Sequence, residues 1–148
     1  MATEQLIAQQ AAAIRRLLTV LRSYYQQRFG IKCVNASVTP GSILVREQHS
    51  ELYVRIAPLA DKRGNSMKLV IARISFDDER SGHGTALFKC LALAADEVGY
   101  KAIEIEAVNM ASEAFAKRPC MRVASPMSYI ADITTLIAGI DAVTPREA

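Results

Sequence analysis

The chain has 148 residues, of which 51% are hydrophobic and 22% charged, and it carries a net charge of +3. That length suits one domain with a sizeable core, spanning residues 1–148, and the apolar content excludes a disordered chain. The weak positive charge does not by itself point to nucleic acid, and no apolar run is long enough to cross a bilayer. The start, MATEQLIAQQ, has no basic region followed by an apolar stretch, so no secretory signal is read there and a cytoplasmic protein away from membranes is expected. Cys33, Cys90 and Cys120 lie too far apart for a disulfide framework or a zinc site.

Residues 3–28 read as one long helix. Ile7, Ala11, Ile14, Leu18, Leu21 and Tyr25 recur at steps of four and three, and Leu17 widens the stripe. Thr3 suits an N-cap and Gly30 a stop. The stripe reads first as a core-facing surface; its length also suits pairing with a second copy, a homodimer. Pro40-Gly41 marks a turn. Ser42–Gln48 and Glu51–Ala57 read as strands joined at His49-Ser50, with Leu52, Val54 and Ile56 alternating against Tyr53 and Arg55. Pro58–Ser66 is a polar connection. Met67–Phe76 is apolar nearly throughout, which predicts a central strand.

Gly82–Val98 reads as a helix with Leu87, Leu91, Ala94 and Val98 on one side and Gly99 after it. Lys101–Val108 is a strand in which Ile103, Ile105 and Ala107 alternate with Glu104 and Glu106. Ser112–Lys117 is a short helix stopped by Pro119. Beyond it the sequence leaves two readings open. Ser125-Pro126 with Ile130, Ile133, Ile137 and Ile140 favours a helix, and Met127–Ile133 also suits a strand.

The segment MKLVIARISFDDERSGHGTALF, residues 67–88, carries the strongest functional signal. An apolar strand leads through a charged loop into two glycines one residue apart, and these open a helix. The first amides of a helix have no intrahelical acceptor, and the helix dipole adds partial positive charge there. Gly82 and Gly84 lack a Cβ and let an anion approach the backbone, and Thr85 adds a hydroxyl. This pattern predicts a phosphate-bearing ligand.

Gly82-His83-Gly84-Thr85-Ala86-Leu87, followed later by Ala107-Val108-Asn109 and Ala114-Phe115-Ala116-Lys117, resembles the GNAT N-acetyltransferase superfamily. The resemblance covers roughly residues 42–120, with the N-terminal helix in the place of the family's first helix. It implies an α+β (mixed α/β) fold with a splayed mixed sheet, acetyl-CoA between the two central strands, and acetyl transfer by direct attack of an amine. The acceptor would be a small-molecule or protein amine. The family's loop usually begins with Arg or Gln; here Glu79 stands first and the basic residue, Arg80, comes one place later. A catalytically silent GNAT-like module acting through protein or nucleic-acid contacts is the alternative. Without tryptophan or a basic-aromatic platform, nucleic acid is not expected as a partner.

The resemblance assigns the acyl carrier to Arg80, Ser81, Gly82, His83, Gly84 and Thr85. Backbone N–H groups near Ile74 or Ser75 would polarise the carbonyl, Asn109 would meet the pantetheine arm or cap a helix, and Lys117 would lie near the CoA phosphates. The family's acid is often a tyrosine where this chain has Phe115-Ala116, which leaves Tyr129 as the candidate from the C-terminal segment. For a base, Glu104 and Glu106 project from one face of a strand about 7 Å apart. Their simpler reading is a pair of solvated charges on an alternating strand.

Overall fold

The structure is a computed structural model that describes residues 2–48, 50–58, 67–77, 82–106, 122–125, 128–133 and 137–138. Helix α1 runs over Ala2–Phe29. Its buried side is formed by Ala13, Ile14, Leu17, Leu21, Tyr24 and Tyr25, so from Ala13 onward the apolar stripe is spent on the chain's own core. Ile7, on the first turns, stays 57% exposed. The helix stops at Gly30, whose φ of 70° is open to glycine at little steric cost.

Among the described residues, seven strands form one sheet in the order β1-β2-β3-β4-β5-β7-β6. They are β1 (Ala36–Thr39), β2 (Ser42–Glu47), β3 (Ser50–Pro58), β4 (Met67–Phe76), β5 (Ala102–Glu106), β6 (Arg122–Ser125) and β7 (Ser128–Asp132). Strands β1 to β4 are an antiparallel meander. Helix α2 (His83–Glu97) then carries the chain across to β5, which lies parallel to β4. A parallel neighbour requires such a crossover, because a tight turn can only reverse the chain. The remaining pairings, β5 with β7 and β7 with β6, are antiparallel. The mixed sheet expected from the sequence is therefore present.

Both helices pack on one face. Ile43, Val45, Leu52, Val54, Leu69, Ile71, Ile103 and Ile105 line that face and join the helices in one core, with Leu87, Phe88 and Leu91 contributed by α2. Full burial of each such side chain stabilises by about 1.5–3 kcal/mol before ordering costs. Val70, Ala102 and Ile130 are buried on the opposite face. Strand β4 is thus covered on both sides over Leu69–Ile71, which explains its continuous apolar run.

Three segments depart from the sequence reading. Strand β1 is short and mostly exposed, and carries little apolar alternation. Strand β6 falls in Arg122–Ser125, where no element was expected. Residues Ser128–Asp132 form the strand that the sequence left open, not the helix favoured by the isoleucine spacing. Tyr129 and Ala131 face the helices while Ile130 is buried on the other side, so period-2 alternation is erased and Ile130 and Ile133 mimic a helical step. The expected short helix at Ser112–Lys117 lies outside the described residues. Among the described residues no helix is long and apolar enough to cross a membrane.

Helix α2 ends in a Schellman turn: Tyr100 N–H donates to Ala95 O at 2.9 Å and Gly99 N–H to Asp96 O at 3.0 Å. Gly99 sits at φ 86°, and a Cβ there would meet nothing within 4 Å. The Gly99→Ala variant therefore bears only the conformational cost, about 1 kcal/mol. Thermal melting is expected to show a loss of about 2–4 °C.

Candidate functional site

The parallel contact between β4 and β5 is brief. It runs from Lys68 opposite Ala102 to Ile71 opposite Ile105 and then stops. Beyond that point β4 keeps its partner on β3, where Arg73, Ile74, Ser75 and Phe76 pair with Tyr53, Leu52, Glu51 and Ser50. Glu106 of β5 pairs with Ser128 of β7. Among the described residues, the two central strands therefore go on with different neighbours, and the sheet opens between them.

A bulge marks the start of this opening. Val54 pairs with Ile71 and Tyr53 with Arg73, so Ala72 is an extra residue on β4. A bulge bends its strand and raises the local twist, which turns the next peptides away from the sheet line. Among the described residues, no strand pairs with the edge of β4 away from β3 between Arg73 and Phe76. Ile74 is half-buried on the helix side and Ser75 is exposed on the other. The opening lies at the carboxyl ends of two parallel strands, the usual position for ligands in sheets with crossovers.

Helix α2 begins beside the same strand end. Its N-cap is Gly82, at φ 73° and ψ 13°, with no side-chain cap and no acidic residue in the first turn. The first internal bond is Ala86 N–H to Gly82 O at 3.0 Å. The amides of His83, Gly84 and Thr85 precede it, where the helix supplies no acceptor. With the dipole, this terminus suits a phosphate group chemically.

The His83 side chain is turned away from that role. Its Nδ1 accepts a hydrogen bond from Arg28 Nε at 2.7 Å, so Nδ1 carries no proton. The ring lies 4.6 Å from Phe29 and 5.6 Å from Phe76, centroid to centroid. Tyr24 Oη donates to the His83 carbonyl at 2.7 Å. Burial raises the Tyr24 phenol above its ordinary range, which keeps it protonated and a donor.

Glu104 and Glu106 do share a face, as the strand period requires. Both are ion-paired rather than free charges. Glu104 accepts from Lys68 Nζ at 2.8 Å, with the two side chains only 13% and 21% exposed. Glu106 is paired with Arg55. Tyr129 pairs with Ile105 and so belongs to the helix-side face, where it is buried. The sheet itself separates it from both glutamates, and the three do not form one constellation. Glu106 is the glutamate placed at the opening, one residue past the last β4–β5 pair. Arg80, Ser81, Asn109 and Lys117 lie outside the described residues.

Tyr24 and Arg28 received no site role in the sequence reading. Each lies more than fifty residues from His83, with separations of 59 and 55. An aromatic-rich end to a helix signalled packing and nothing more specific.

No family model matches the sequence, and no curated protein matches it. Solved structures do. A Tyr-to-Phe variant of the AtaT toxin, bound to the C-terminus of the antitoxin AtaR and acetyl-CoA, superposes with a TM-score of 0.50 at 13% identity, over 64% of this chain and 68% of that one. The chain has the GNAT fold. Similarity extends at a TM-score of 0.48 and 13% identity to the KacTA–DNA complex, over 88% of this chain and 84% of that one. AtaT complexed with acetyl-methionyl-tRNAfMet gives 0.45 at 12% identity, over 85% and 84%. The expectation that nucleic acid is not a partner is withdrawn. The missing tryptophan excluded only one mode of binding, base stacking on an aromatic platform.

If the Lys68–Glu104 pair is structural, Lys68→Met strands a nearly buried carboxylate and costs about 2 kcal/mol, less than a fully buried pair because both groups keep some water. Adding Glu104→Leu to that variant is expected to recover most of the loss. Urea denaturation of the two variants checks both statements.

Proposed function

We propose that the protein is an N-acetyltransferase that uses acetyl-CoA and acts by direct attack of an acceptor amine on the thioester. One observation carries this reading: the Ala72 bulge, the end of β4–β5 pairing among the described residues and the uncapped start of α2 all fall in or just beyond the carboxyl half of β4. The acetyl-CoA bound by the AtaT variant of the same fold supports the choice of carrier.

The residues present fit such a group. The amides of His83, Gly84 and Thr85 would hold the pyrophosphate, with no acidic side chain in that turn to oppose it. When bound, acetyl-CoA supplies an activated acetyl group as a thioester. The backbone N–H groups of Ile74 or Ser75, on the open edge of β4, would donate to the carbonyl oxygen. Fixed amide donors of this kind stabilise developing negative charge without reorganising. Glu106, held by Arg55 at the opening, would accept the amine proton through water. The acceptor class is an amine.

A silent binding module is the second reading. It is favoured by the engagement of both glutamates in ion pairs and by the position of Tyr129 on the other face.

The test pairs calorimetry with an acceptor screen. Acetyl-CoA and CoA are expected to bind in the micromolar range, and Gly84→Trp to abolish binding while the fold persists. Acetyl transfer to one class in a panel of amino acids, polyamines, peptides and aminoacyl-tRNA is expected, with Glu106→Gln slowing turnover by about 10²-fold at unchanged CoA affinity. Binding without transfer to any amine would select the silent module. A folded wild-type protein that binds neither ligand would refute both uses of acetyl-CoA.

A further inference from the structure

We infer that Tyr24 and Arg28, at the end of α1, are positioning residues for the acyl-carrier site and set its affinity without taking part in chemistry. This rests on the acetyl-CoA reading above.

Two elements, α1 and β4, converge on His83. From α1, Tyr24 Oη donates to its carbonyl and Arg28 Nε to its ring nitrogen, both at 2.7 Å. Phe29, also from α1, packs on the ring, and Phe76 approaches from the last residue of β4. Phe29 and Phe76 stack at 6.1 Å with an interplanar angle of 19°, so the two elements also hold each other. His83 is the first residue of α2 and follows the left-handed Gly82.

A glycine loop carries a cost in freedom. Gly82 reaches many backbone conformations, and only some aim the amides of residues 83 to 85 at one point. Each unfavourable orientation dilutes the competent state and weakens apparent affinity by that fraction. The two hydrogen bonds fix both ends of His83: its carbonyl, which belongs to the peptide joining it to Gly84, and its ring. The Gly84 amide lies in that peptide, so Tyr24 directly orients one of the proposed phosphate donors. The Arg28 guanidinium also places a cation beside the loop in the chain whose loop begins with Glu79.

Conservative chemistry separates this role from packing. Tyr24→Phe keeps the ring contacts with Tyr25 and Phe29 and removes only the hydroxyl. Arg28 is exposed, so Arg28→Ala removes no core. Each variant is expected to weaken CoA binding by about tenfold in calorimetry, with a melting temperature within about 2 °C of wild type. In turnover, KM for acetyl-CoA rises by a similar factor and kcat at saturation holds. Arg28→Lys, which keeps the charge and a donor, recovers part of the affinity. Hydrogen exchange of the unliganded Tyr24→Phe protein is expected to quicken at Ala86, the first hydrogen-bonded amide of α2.

Wild-type CoA affinity in both Tyr24→Phe and Arg28→Ala overturns the inference and leaves the acetyl-CoA reading standing. A fall in kcat with KM unchanged also overturns it, since that would assign these groups to chemistry. A wild-type protein that binds no CoA overturns the reading itself, and the inference with it, before any variant is made.

Discussion

Among the described residues, strand β4 does not keep two neighbours along its whole length. There it pairs with β5 over four residues and then continues with β3, and an extra residue at Ala72 falls where the change occurs. The rest of the site follows from this constraint. The opened edge provides backbone donors, and the crossover that returns the chain to a parallel β5 must begin just beyond it. That places the start of α2 beside the opening. The twist added by a bulge and the need for a crossover are both backbone effects, so the site is built largely from peptide groups.

Side chains then fix what the backbone offers. The aromatic contacts of Phe29, Phe76 and His83 join α1, β4 and α2 at one end of the molecule. On the opposite face, Lys68–Glu104 and Arg55–Glu106 tie β5 to β4 and β3. The first pair is nearly buried and couples the strands just below the opening; the second is partly exposed and contributes less. The two strands that separate are thus held firmly at the base of their separation.

Much of this frame was legible in the sequence. The continuous apolar run of Met67–Phe76 placed β4 at the centre, and the glycines placed α2 and its open terminus. The glycine loop read as a phosphate cradle because amides need no particular side chain to act. The bulge was not legible, since Ala72 fits a regular strand as well as a bulge. Glu104 and Glu106 alternated as exposed charges do, and their partners lie 36 and 51 residues away. Local pattern carries no trace of such pairing. Likewise, β7 stayed open between strand and helix because burial on both faces removes the alternation that distinguishes the two. His83 read as a loop side chain near phosphate, and only the end of α1, brought there by the fold, shows where its ring goes.

The opening between β4 and β5, together with the first turn of α2, is the proposed receptor of the acyl carrier. Amide chemical-shift mapping during titration with acetyl-CoA tests this residue by residue. The largest shifts are expected on Gly82–Ala86 and on Arg73–Phe76, with the edge strands β1 and β6 unmoved. Saturable binding whose shifts lie elsewhere, with those two segments silent, would contradict it.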